Sequence, residues 1–162
     1  MEPFKNTTYQ LSRNFYLFEF KVSKDYPDLA DQITFSVEDV KTLSLLCLTC
    51  IQPIRDKFGI THIFSGKRSE ELNMAVGGHE TSDHLTCNAA DILCSNFNSE
   101  QVFKWLVNES GIDYRQVIYY PDSNFIHISC NIPEKDLKHD ALVFVGDQKY
   151  IKFREYYGGK IS

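Results

Sequence analysis

Four strand patterns crowd the C-terminal part of this 162-residue chain, at residues 116–120, 125–130, 141–145 and 150–153. The segments between them are too short for the helical crossover that joins parallel neighbours, so largely antiparallel pairing is expected. Gly146-Asp147 marks a hairpin turn between the last two. Two earlier strand patterns, at residues 61–65 and 89–94, add to the sheet.

Helical periodicity is clearest from Ser36, a good N-cap with Asp39 in the first turn, to about Lys57, where Gly59 can end the helix. Val40, Leu43, Cys47, Cys50 and Ile54 recur at three- and four-residue steps and lay one apolar stripe toward the core. Pro53 is expected to bend the last turn, because its ring removes a backbone donor. A second helix is predicted from Ser99 to Glu109, burying Val102, Phe103 and Leu106, and a short one after Ser69. No repeat or linker divides the chain. The expectation is an α+β fold: a single domain over residues 1–162, with a mostly antiparallel sheet flanked by helices.

Composition narrows the functions open to such a domain. The net charge of −5 argues against a surface built to coat nucleic acid phosphates. No apolar run reaches the length of a membrane span, and the first residues lack a signal peptide pattern, so cytosolic synthesis is expected. The five cysteines are odd in number and sit mostly in apolar stretches, which predicts reduced core thiols rather than a disulfide framework. Cys47-x-x-Cys50 lies within the helical stripe and reads as packing.

Polar chemistry concentrates elsewhere. His84 stands in a loop that runs into an apolar strand interrupted by Asp91, and a carboxylate there needs a partner. In Phe125-Ile126-His127-Ile128-Ser129, alternation puts His127 on the face opposite the two isoleucines. Two imidazoles and a carboxylate suit a catalytic zinc, which keeps three protein ligands and leaves one position to water. The alternative is that Asp91 makes a cap or buried hydrogen bond and the histidines are satisfied core groups.

A resemblance favours the metal. Ser65-Gly66-Lys67-Arg68-Ser69, Leu72-Asn73, Val76-Gly77-Gly78, Ser82-Asp83-His84 and Ala89-Ala90-Asp91-Ile92 are similar, in order, to the core motifs of the zinc D-Ala-D-Ala carboxypeptidases. That superfamily includes the vancomycin-resistance dipeptidases and phage L-alanyl-D-glutamate endolysins. Leu11-Ser12-Arg13-Asn14-Phe15, Glu19-Phe20 and Gln52-Pro53-Ile54-Arg55 resemble its small phage-type branch, so the similarity covers about residues 9–130. The resemblance implies zinc ligands at His84, Asp91 and His127, and places Arg68 and Ser82 at the substrate peptide. For Arg68 the alternative is a surface ion pair with Glu70 or Glu71. Gly77-Gly78 is expected to allow a positive-φ turn before the metal loop.

Two residues depart from the family pattern. Cys87 replaces the glycine three residues after the first histidine, which raises a changed loop path and an adventitious thiol ligand as expectations. Asn124 occupies the position, three residues before the last histidine, where the family commonly carries its acid or base. Asn exchanges no proton at neutral pH, so Asp122 is the nearest replacement, its alternative being a plain turn aspartate after Pro121.

The implied function is a zinc peptidase that cleaves a D-amino-acid-containing bond in a peptidoglycan stem peptide, with one zinc ion and no nucleic acid partner or membrane span. A phage lysis protein released by a holin-type partner would reach the cell wall without a signal. The alternative is a zinc-containing binding module that has lost its general base.

Overall fold

The computed structural model describes residues 3–132 and 137–158. Six strands form the main sheet: β3 (Thr61–Ser65), β4 (Ala89–Cys94), β5 (Tyr114–Tyr120), β6 (Phe125–Cys130), β7 (Asp140–Phe144) and β8 (Tyr150–Lys152), in the order β3-β4-β6-β5-β7-β8. A small hairpin of β1 (Gln10–Ser12) and β2 (Phe15–Tyr16) precedes it. Every pair is antiparallel except β5 with β7. That exception departs from the spacing argument, because the chain leaving β6 passes to the far side of β5 rather than pairing beside its predecessor. The last hairpin is as expected, with Gly146, Asp147 and Gln148 all at positive φ and Val145 N–H donating to the Lys149 carbonyl.

The long helical stripe is buried as its periodicity predicts: Leu43, Cys47, Cys50 and Ile54 are fully enclosed. It is not one uniform helix. The α-helices Val37–Leu46 and Gln52–Phe58 are joined by a π turn at Cys47–Ile51. Pro53 has no N–H to give the preceding turn and its ring crowds the carbonyl four residues back, so a widened turn there spares the clash. Gly59, at φ 80°, ends the run. The two helices count as α2 and α3, after α1 (Pro27–Asp31). All five cysteines are free and buried.

The motifs near the N-terminus serve the fold. The Gln52 amide accepts from Ser12 Oγ (2.9 Å) and donates to Asn14 Oδ1 (2.9 Å) and Asp56 Oδ1 (2.7 Å), and Arg13 pairs with Asp56. These contacts fasten the first hairpin to α3. Ser69 caps α4 (Glu70–Ala75), and Asn98 with Gln101 forms a capping box on α5 (Ser99–Asn108), which buries Val102, Phe103 and Leu106. A four-residue helix, α6 (Phe153–Tyr156), follows β8.

Candidate metal centre

The central strands deliver two of the candidate ligands side by side. Asp91 on β4 lies directly opposite His127 on β6. The third, His84, comes from a 3₁₀ turn at Asp83–Thr86 that Ser82 caps, its Oγ accepting from the His84 backbone N–H (3.4 Å). Asp91 Oδ1 lies 3.0 Å from His127 Nδ1 and 3.3 Å from His84 Nε2, and the two ring nitrogens are 3.1 Å apart. Donors on a tetrahedral zinc, at bonds of about 2.0–2.1 Å, sit about 3.3 Å from one another. The three donor atoms therefore already have nearly the spacing that such an ion requires.

The surrounding contacts suit ligation. His84 Nδ1–H donates to the Gly66 carbonyl (2.6 Å), which leaves the Nε2 lone pair to face the other two donors. Burial holds the His84 pKa below its usual value against the pull of Asp91. Burial would raise the Asp91 carboxyl, but His84 and His127 outweigh it and hold it well below the ordinary carboxylate range. The interrupting carboxylate thus has its partners.

Arg68 is among them. Its Nη2 donates to Asp91 Oδ2 (2.8 Å) and to Ser65 Oγ (2.9 Å), and Nε also donates to Ser65 Oγ (3.1 Å). The ion pair is thus with Asp91, not with Glu70 or Glu71, and it is almost enclosed, the two side chains being 12% and 8% exposed. The loop before His84 is held by glycines. Gly77 has φ +70°, and a side chain on Gly78 would collide with Asn73 Oδ1, whose amide Nδ2 donates to the His79 carbonyl (2.8 Å).

Arg68, Gly77, Gly78 and the three candidate ligands border an open cleft of about 850 Å³ that also meets Ser82, Asp83, Arg115 and Tyr120. Asp83 pairs with Arg115 (3.3 Å). Asp122 is exposed on the turn between β5 and β6, outside the lining of the cleft. Asn124, at φ 51°, faces α5 instead: its Oδ1 accepts from Ser99 N–H (3.0 Å) and its carbonyl accepts from Ser99 Oγ (2.6 Å).

Cys87 has φ 60°, the left-handed conformation that glycine favours, so the loop keeps a glycine-like turn without the glycine. Its thiol donates to Asp39 Oδ1 (3.2 Å) and is not part of the donor group, which corrects the expectation of an adventitious ligand. Burial, with Asp39 beside it, pushes that thiol far up and keeps it protonated. The sequence reading missed Ser65 and the Gly66 carbonyl as supports of Arg68 and His84. Their signal was present in the Ser65-Gly66 pair, since a glycine next to a strand end marks close backbone approach.

A His-Asp-His donor set on the floor of a cleft, beside a mixed sheet, has the layout of a metal-dependent hydrolase. The chain matches the model of the Peptidase M15 family over residues 28–129, more than half of its length, and it belongs to that family. Its members are zinc peptidases acting on peptidoglycan-type peptides. No protein with a curated description matches the chain.

Proposed function

We propose that the protein is a zinc-dependent peptidase that hydrolyses a D-amino-acid-containing bond of peptidoglycan stem peptides. The observation that carries this reading is the convergence of His84 Nε2, Asp91 Oδ1 and His127 Nδ1 within 3.3 Å of one another at the floor of the cleft. These residues would hold the zinc, which supplies an acidified water and a Lewis acid when bound. Arg68 and Ser82 border the same cleft and would hold the peptide. With three of the Arg68 donors committed, its two Nη1 protons are left for a substrate carbonyl or carboxylate. Asp122 would move protons between the water and the leaving amine, which requires residues 121–124 to swing toward the metal once substrate is bound. In this reading the protein acts at the cell wall, as a phage lysis enzyme released by a holin-type partner would.

Digestion of purified muropeptides followed by mass spectrometry tests the activity and identifies the bond. Elemental analysis should find one zinc per chain, lost in a His84→Ala, His127→Ala double variant. Asp122→Asn tests the shuttle: a loss of about 10²- to 10⁴-fold in turnover with zinc retained supports it, and full turnover removes it. One observation favours a second reading, a metal-bearing module that binds wall peptides without cutting them. Asn124 is engaged with α5, and the described carboxylates that border the cleft are Asp91, the candidate ligand, and Asp83, paired with Arg115. Wild-type protein that binds muropeptides and cleaves none would establish that alternative.

A further inference from the structure

Tyr120 ends β5 on the floor of the cleft, and the function argued so far does not use it. Ile118 lies opposite His127 and Tyr120 opposite Phe125, so Tyr120 stands diagonal to a metal ligand on the same cleft-facing side. That separation is within the reach of an aromatic side chain. Its ring is clamped, stacked on Phe125 at 4.2 Å and 13° and flanked by Phe144 at 5.1 Å. Among the described residues the phenol oxygen has one distant polar neighbour, Tyr150 Oη at 3.5 Å. Stacking alone would be served equally well by phenylalanine, so the hydroxyl is the part that packing does not explain.

We propose that Tyr120 is a catalytic residue of the peptidase reading, donating its O–H to the carbonyl oxygen of the scissile bond as that oxygen becomes an anion. When water adds to the carbonyl carbon, it gives one proton to the shuttle group that later protonates the amine, the π electron pair comes to rest on the carbonyl oxygen, and Tyr120 stabilises it by hydrogen bonding while keeping its own proton. When the C–N bond breaks, the pair returns to the carbonyl and the amine leaves with a proton supplied by another group. A donor of this kind must be held in place before the reaction and must stay protonated. The clamp meets the first need. Burial, the largest influence on the phenol, meets the second by pushing its pKa up.

The inference rests on the peptidase reading and can be tested separately from it. Tyr120→Phe keeps the ring and its stack and removes one oxygen. Expected are a fall of about 10²- to 10³-fold in kcat on muropeptides, a KM within about threefold of wild type, and unchanged zinc content. Binding supplies a readout that does not depend on turnover. A phosphinate dipeptide that mimics the tetrahedral intermediate should bind Tyr120→Phe about 10²-fold more weakly, with the affinity for uncleaved peptide unchanged. Wild-type kcat and phosphinate affinity in Tyr120→Phe would overturn the proposal, as would an equal weakening of substrate and phosphinate. A wild-type protein that neither cleaves muropeptides nor prefers the phosphinate would instead overturn the peptidase reading, and this proposal with it.

Discussion

Arg68 and Asp91 share a carboxylate between two tasks: Oδ2 is held by the guanidinium at 2.8 Å, while Oδ1 is the oxygen that faces both His84 and His127. The arginine, fixed in turn by Ser65, sets the angle at which Asp91 presents its free oxygen.

The first prediction follows from that pair. Arg68→Lys retains the charge but cannot bridge Asp91 and Ser65 with one fork. Loss of such an orienting contact should weaken zinc about 10- to 100-fold, as measured by competition with a chelator, together with lower turnover. Unaltered zinc affinity alongside impaired turnover would assign Arg68 to the substrate alone.

A second prediction concerns acid stability. Asp39 caps α2 through Ser36, pairs with Lys67 at 2.5 Å and accepts from the Cys87 thiol, and it is largely enclosed. Burial raises its pKa, but Lys67, the Ser36 N–H and Cys87 outweigh burial and leave it lowered. A depressed folded pKa gives stability that is present above the unfolded value of about 3.9 and is lost as pH falls below it. Asp39→Asn should therefore cost about 2 kcal/mol near neutrality and much less at pH 3. Urea unfolding at the two pH values measures this, and an equal cost at both would show that Asp39 contributes through packing.

Much of this site could be read from the chain because its signals are local. The stripe Val40, Leu43, Cys47, Cys50, Ile54 follows helical period, and a carboxylate amid Ala89, Ala90 and Ile92 demands a partner whatever the fold. What escaped depends on distant contacts. Nothing near Asn124 reveals that it fastens to Ser99, 25 residues away, and nothing near Arg68 names Asp91 as its partner. The parallel β5–β7 pairing escaped for a related reason: short connections specify which strands follow one another, not which lie side by side. The π turn reflects how the chain accommodates Pro53, where sequence pattern indicated only that something must yield.

The third prediction uses Cys87. Its thiol faces Asp39, so Cys87→Gly should leave zinc stoichiometry and affinity unchanged. Glycine relieves the left-handed strain but forfeits a buried contact, so the net change in stability should stay within about 1 kcal/mol. Thermal unfolding and metal titration check both parts. Loss of zinc in this variant would show that the thiol turns toward the metal.

The last prediction compares two glycines, Gly77 in the loop before His84 and Gly66 just past the end of β3, that differ in what a methyl group would meet. At Gly77 the added carbon faces open space, and the obstacle is the φ of +70°, so Gly77→Ala should cost about 1–2 kcal/mol through backbone strain alone. At Gly66 the same carbon would lie 2.5 Å from both Cα and the carbonyl oxygen of Phe20. Those are backbone atoms with no rotamer to change, so the strand end itself must shift. The Gly66 carbonyl also accepts the Nδ1–H of His84, so the displacement passes directly to a ligand and to the tautomer that keeps Nε2 free. Gly66→Ala should accordingly destabilise the fold by about 3 kcal/mol and weaken zinc, whereas Gly77→Ala should keep wild-type zinc affinity. Unfolding in the presence and absence of zinc separates the two effects, because a ligand that binds only the folded protein adds stability in proportion to its affinity. If Gly66→Ala gains as much from zinc as wild type does, the Gly66 carbonyl does not control the His84 ligand.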